Sequence, residues 1–179
     1  MQKIILVNYN TKWPDFFKEE KKALMSSIGS FVEHIEHIGS TSIPGISAKP
    51  VIDIMIGVNS LAKADAQCVE LIRRMGYRHV RQYEREFPFR RYFTKNSLQT
   101  GRRTHQIHLL ESTHPWFTRH LLFRDYLRAH PDDRVAYEQL KQQLSRRFTD
   151  TNNYAIAKTE FVKAIEAKAL IWHNQKSKQ

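Results

Sequence analysis

Residues 50–58, Pro-Val-Ile-Asp-Ile-Met-Ile-Gly-Val, are an apolar run rich in Ile and Val, entered from a loop of Gly, Ser, Thr and Pro. Such a run suits the central strand of a sheet, so the rest of the chain has to supply neighbouring strands and cover. One residue resists burial. The twofold period of a strand sends Val51, Asp53 and Met55 to one face and Ile52, Ile54 and Ile56 to the other, which leaves a carboxylate amid apolar sheet surface. An unpaired charge there is costly, so Asp53 has to meet a metal, a basic partner or a functional cleft. Lys49 or an arginine is the alternative, purely internal partner.

The flanking segments supply the other elements. "IILV" at 4–7 reads as a short strand, and a helix starts near Pro14 with Phe16, Phe17, Leu24 and Ile28 as its buried face. "FVEHIEHIG" reads as a strand ended by Gly39, and Pro44-Gly45 signals a type II turn. Asn59 or Ser60 caps a helix running to about Met75, with Gly76 placed for a left-handed stop. "YRHVRQY", "FRRYFTK" and "HQIHLLE" read as further strands, with the polar turn "NSLQTGRRT" before the last. From His114 onward the pattern is helical in three pieces, "PWFTRHLLFRDYLRAH", "DDRVAYEQLKQQLSRRF" and "NNYAIAKTEFVKAIEAKALIWH", the first two separated at Pro131. The expected class is α+β: a mixed-sheet core over 1–113 with flanking helices, and a helical C-terminal part over 114–179 packed against it, behaving as one cooperative unit.

Composition narrows the partners. A net charge of +11 favours phosphates, on nucleotides, nucleic acid or a surface. The basic runs "KEEKK", Arg73-Arg74 and "NQKSKQ" read as solvated helical faces and tail. No apolar window reaches the roughly 18 residues of a membrane span, and the start lacks a signal-peptide pattern, so a cytoplasmic protein with no membrane partner is expected. The one cysteine, Cys68, sits in a helical pattern and reads as a small core residue.

Several residues are candidates for a site. Gly39 and Ser40 follow a strand, and their backbone, with the hydroxyls of Ser40, Thr41 and Ser42, suits an anion; the loop has no Gly-Lys-Ser/Thr and is not a Walker A sequence. Lys49 offers a point charge to a phosphate, and His37, two residues before Gly39, an acid or base. In "HQIHLLE" the period separates His105 from His108, so at most one shares the face of Asp53; His108 is a candidate second metal ligand. Arg124 and Arg128 neighbour one another on a helix, with Asp125 between them as a partner, and Lys158 lies further on. The segment 85–103 interleaves Arg85, Arg90, Arg91, Lys95, Arg102 and Arg103 with aromatics, either as an amphipathic hairpin or as an RNA surface.

The segment "EHIGSTSIPGISAKPVIDIMIGV", with "NYNTKWPDFFKEE", "FRDYLRAHPDDRVAYEQLK" and "YAIAKTEFV" in order around it, resembles the GrpB family over nearly the whole chain. That family is similar in fold to the nucleotidyltransferases that include DNA polymerase beta. The resemblance implies that Gly39 and Ser40 match a phosphate-holding Gly-Ser pair and that Asp53 matches the first of three acids holding Mg²⁺ or Mn²⁺. It implies a nucleoside triphosphate as ligand and nucleotidyl transfer to an unknown acceptor; by their own position and charge, His37, Lys49 and Arg124 are expected to contact phosphates or acceptor. Met55 stands where the second acid is expected, and a thioether is a poor ligand for a hard cation. The alternatives are a nucleotide- or anion-binding regulatory module without catalysis, linked through fused relatives to coenzyme A metabolism, and an RNA-binding protein.

Overall fold

The computed structural model describes residues 4–176. Among these, the strands are β1 (His34–Ile38), β2 (Ile52–Val58), β3 (Arg78–His79), β4 (Arg90–Asn96) and β5 (Arg103–Glu111), joined in one sheet of order β1-β2-β5-β4-β3. The sheet is mixed. β2 runs parallel to β5 and antiparallel to β1, while β4 is antiparallel to β5 and β3. The helices are α1 (Trp13–Ile28), α2 (Leu61–Gln67), α3 (Val69–Arg74), α4 (Pro115–Ala129), α5 (Pro131–Arg147), α6 (Thr151–Ile156) and α7 (Thr159–Lys176).

Alternation along β2 divides the core as expected. Ile52, Ile54 and Ile56, with Ile107, Leu109 and Phe93 beside them, pack against Leu24 and Ile28 of α1 and Ile72 of α3. Each such side chain removed from water contributes about 1.5–3 kcal/mol, which makes this face the main source of cohesion. On the opposite face Met55, Ile38 and Leu110 pack against Phe117 of α4. The C-terminal helices grip the loop before β2: Ile43 and Ile46 are enclosed by Tyr126 and Leu127 of α4, Tyr137 of α5, and Ile165 and Ala169 of α7.

Local chemistry explains most boundaries. Pro14 and Pro115 fall in the first turns of α1 and α4, where the missing N–H costs nothing. The Ser60 hydroxyl accepts from Lys63 N–H at the start of α2, and Gly76 takes φ +87° after α3. Gly45 has φ +85°, as the Pro44-Gly45 turn requires.

Four expected elements differ. The strand over 4–7 is reduced to a bridge between Val7 and Ala48, and Pro50, two residues on, has no N–H with which to continue the ladder. The helix over 60–75 divides at Cys68. "YRHVRQY" is extended only at Arg78–His79 before a 3₁₀ turn at Arg81–Tyr83, and the last helical piece divides into α6 and α7 around Ala157 and Lys158. Leu24 and Ile28 are buried and Phe17 packs beside them as expected, but Phe16 is exposed and Trp13 buried, since Trp13, four residues before Phe17, shares its side of α1. The last three residues of the basic tail lie outside the described residues.

Candidate functional site

A cleft of about 870 Å³ opens over the Asp53 face of the sheet, walled by the segment 80–87 on one side and by Lys49 and α6 on the other. The volume lies within the range of small-molecule sites. Its floor follows from register. Asp53 lies opposite Ile38 on β1 and Gln106 on β5, and Gln106 lies opposite Thr94 on β4; one step along, Met55, His108 and Tyr92 are in line. Residues paired across strands point to one side, so Asp53, Gln106, His108 and Tyr92 share a surface.

Asp53 is half-buried at the bottom of this cleft, and its Oδ1 accepts a hydrogen bond from Gln106 Nε2. Burial pushes its carboxyl up to about 6, against the opposing pull of the Gln106 hydrogen bond and of Lys158, Lys49 and Arg103. Gly39 lies close against it: a Cβ there would sit 2.3 Å from Asp53 Oδ2. Gly39 also has φ +69° and ψ −177°, a conformation restricted essentially to glycine. Two independent constraints thus require glycine, one of them imposed by the carboxylate.

Cations dominate the walls. Lys49, Arg78, Arg90, Arg103, Lys141 and Lys158 line the cleft, against the acids Asp53 and Glu86. Lys158 Nζ and Lys49 Nζ lie 4.4 and 5.1 Å from the ring centroid of Tyr154, which is held over the sheet by α6. Burial pushes both lysines down, Lys49 also through repulsion by Lys158, while Asp53 pulls each back. The α6 start is secured by Asp150, whose carboxylate accepts from Asn152 and Asn153 N–H. Arg103 Nη1 donates to Tyr92 Oη and to Gln106 Oε1, placing its charge beside the Asp53–Gln106 pair. Lys141 faces the cleft wall but is already engaged: it donates to Ser47 O and pairs with Glu138 at 3.1 Å.

The expected site residues separate into two groups. Ser40, Thr41, Lys49, Asp53 and His108 line the cleft, and Gly39 touches Asp53. Ser40 is hydrogen-bonded to the Tyr137 hydroxyl, and Thr41 Oγ1 is occupied by His37 Nε2 and Val51 O. Three others are directed elsewhere. His37 lies on the opposite face of the sheet, stacked 4.8 Å from Phe17, and burial with the nearby Arg128 and Arg124 charges pushes it down to about 3. An imidazole held neutral and enclosed there does not reach the cleft. Ser42 is buried, its hydroxyl donating to Gly39 O and its carbonyl accepting from Arg128. Arg124 is consumed by Glu36 at 2.7 Å, by Asp125, and by His37 O at 3.0 Å.

The metal set expected from Asp53 and His108 does not fit. His108 Nδ1 accepts from Arg90 Nη1 at 3.0 Å, and burial together with that guanidinium holds the imidazole well below its ordinary value. A cation already touches this ring. Met55, at the position of the expected second acid, is fully buried against Phe117. The β5 residue directly beside Asp53 is the neutral Gln106, whose amide donates to it. Among the described residues no cluster of three or more His, Cys, Asp or Glu could hold a metal ion. One carboxylate is a poor cage for a hard divalent cation, which takes several oxygen ligands.

Sequence reasoning passed over Gln106, Tyr92 and Tyr154 as site residues. Alternation already placed Gln106 with His108, but only the parallel register shows that this face of β5 is the Asp53 face.

The chain is similar to known proteins along nearly its whole length. A family model described as GrpB protein matches residues 3–168. The chain is 42% identical to the UPF0157 protein YqkA of Bacillus subtilis over 96% of its own length and 48% of that protein, so it spans about half of that relative. It is 36% identical to the glutamate-rich protein GrpB of Alkalihalophilus pseudofirmus, covering 90% of the chain and 93% of the relative. A more distant match, 29% identical over 93% of the chain and 46% of the relative, is a dephospho-CoA kinase of Mycolicibacterium paratuberculosis. The crystal structure of a protein GrpB from Enterococcus faecalis superposes with a TM-score of 0.82 at 35% identity, over 94% of the chain and 99% of that structure.

Proposed function

The chain belongs to the GrpB family, and from that premise we propose that its cleft binds the phosphates of a nucleoside triphosphate through Lys49, Lys158 and Arg103. The observation that carries this reading is the excess of cations over acids around an open cavity floored by Asp53. With no set of carboxylates to bring in metal, charge neutralisation of a triphosphate falls to these side chains. The Gly39-Ser40 loop ahead of the Asp53 strand, in a mixed sheet, supports the further expectation of nucleotidyltransferase-like architecture. The RNA-binding alternative is less well supported: Arg91 pairs with Asp65 at 2.6 Å and Lys95 with Glu20 at 3.0 Å, so two of the six hairpin cations are spent internally.

Nucleotidyl transfer is the second reading, favoured by the half-buried Asp53 carboxylate on the cleft floor with its raised affinity for protons. In that reaction Asp53 takes the proton of an acceptor hydroxyl, the acceptor oxygen bonds to the α-phosphorus, and pyrophosphate leaves toward Lys158 and Arg103. Mg²⁺ or Mn²⁺, if used, would arrive with the triphosphate and find Asp53 as its one acidic ligand on the cleft floor.

Calorimetric titration with the four nucleoside triphosphates and with dephospho-CoA, with and without Mg²⁺ or Mn²⁺, tests both readings. Binding without metal is expected, weakened about tenfold or more in Lys158→Gln and unchanged or tighter in Asp53→Asn, because the latter removes a negative charge from the floor. Strictly metal-dependent binding abolished by Asp53→Asn would shift the assignment to transfer. Absence of triphosphate binding, with salt-sensitive binding of RNA in its place, would overturn both.

A further inference from the structure

The far end of the cleft holds a cation that the nucleotide reading leaves unused. The guanidinium carbon of Arg90 lies 4.8 Å from the ring centroid of Phe87, 5.3 Å from Tyr92 and 5.5 Å from Trp116. Its Nη1 donates to His108 Nδ1, and its Nε is buried without a partner. An arginine has no acceptor, so the His108 nitrogen that it meets is unprotonated and that imidazole brings no balancing charge. The acid Glu86 acts on Arg90 only through space.

Among the other half-buried arginines, Arg134 donates to the carbonyls of Leu127 and Arg128, and two are paired with carboxylates. The Arg91 side chain is 16% exposed and bound to Asp65, and that of Arg124 is 11% exposed and bound to Glu36 and Asp125. Desolvating a guanidinium without a carboxylate is unfavourable, and ring faces offset only part of that cost. Arg90 is therefore preset for an anion that arrives from the cleft.

Register locates it. His108 is two residues along β5 from Gln106, which pairs with Asp53. His108, which the guanidinium touches, thus lies roughly 7 Å along the strands and one inter-strand step of about 5 Å across from Asp53. A single phosphate over Asp53 does not reach that far. Phe87 and Tyr92 line the cleft with Arg90, and a guanidinium fork matches a planar carboxylate with two parallel hydrogen bonds.

We propose that Arg90 is a specificity residue recognising a carboxylate on the second substrate, so that the acceptor paired with the nucleotide is an organic acid. This rests on the nucleotide reading above for the partner ligand, while the carboxylate subsite itself is independent of it.

Succinate serves as the probe. It is titrated into the wild type, Arg90→Gln and Arg90→Lys, each free and saturated with ATP, while ¹⁵N NMR follows the Arg90 Nε–H signal in the wild type. Succinate is expected to shift that signal with or without ATP. Its binding should weaken about tenfold in Arg90→Gln and recover partly in Arg90→Lys, with ATP affinity within about twofold of wild type in both. An Arg90 signal unmoved by saturating succinate overturns the proposal whatever the variants do. So does a loss of ATP affinity in Arg90→Gln equal to that in Lys158→Gln, which would assign Arg90 to the nucleotide's own phosphates. Failure of ATP to bind while succinate still shifts Arg90 would remove the nucleotide reading and leave the subsite standing.

Discussion

The chemistry of the cleft turns on one carboxylate that the fold holds at a cost. Asp53 has a higher proton affinity in the folded protein than in an unfolded chain, because burial outweighs the Gln106 hydrogen bond and the surrounding cations. Its charge therefore opposes folding fully above pH 6, partly between pH 6 and 4, and not at all below that. Asp53→Asn keeps an oxygen for the Gln106 amide and removes the charge. We expect it to raise stability at pH 8 by about 1–2 kcal/mol, allowing for solvent reaching the side chain through the cleft, with the gain fading as pH falls through 6. Urea denaturation of both proteins at pH 8 and pH 4 measures this; an equal gain at both would mean that the charge is not its source. The same residue explains Gly39, whose missing Cβ is required by Asp53 Oδ2 as well as by the left-handed backbone. Glycine after a strand was readable from one sequence as a stop, whereas its contact with position 53 was not.

At the scale of elements, the loop carrying Ser40 and Lys49 is held by α5. Glu138 accepts from Ser47 N at 2.9 Å and from Ser47 Oγ, and the buried Lys141 bonds both Glu138 and Ser47 O. Lys141 and Glu138 face one way on consecutive turns, and each satisfies atoms that the other cannot. Removing one partner leaves a buried charge unpaired, so Lys141→Met should destabilise by about 3 kcal/mol or more. In Lys141→Met/Glu138→Leu the loss should be smaller than the sum of the single changes, since the orphaned carboxylate is gone. Thermal unfolding of the three variants checks this, and simple additivity would contradict the paired role. Nothing in "DDRVAYEQLKQQLSRRF" marked Lys141 as buried, because Lys at such a position ordinarily solvates a helix. The division of the last helical piece around Lys158 was equally hidden, although it is what delivers that lysine to the cleft.

Across the whole molecule, buried imidazoles set the response to acid. His37 is held down to about 3 by burial with the Arg128 and Arg124 charges, and His120 to about 4 by burial first, with Arg119 and Arg90 adding to it. His108 is depressed in the same direction by burial and Arg90. Each binds a proton more readily unfolded than folded, so its contribution to stability is present above pH 6.5 and is lost as pH falls toward the folded value. Asp53 works in the opposite sense, but three imidazoles outweigh one carboxylate. Stability from denaturant unfolding is therefore expected to fall between pH 6.5 and 4, and the Phe17-stacked His37→Gln variant should flatten that slope. A stability that rises over this interval would show that the imidazoles are not enclosed as described. What the sequence by itself determined was most of the local elements and which residues of each strand share a face, because these follow from backbone periodicity, glycine and proline stereochemistry and the burial of Ile and Val. Which faces meet was decided only in three dimensions. Strand register set Gln106 against Asp53 and put His37 behind the cleft opposite Ile54, and the helical packing consumed Arg124 while bringing Lys158 to the cleft wall. Those choices depend on long-range contacts between segments far apart in the chain, and no periodicity within one segment encodes its partner.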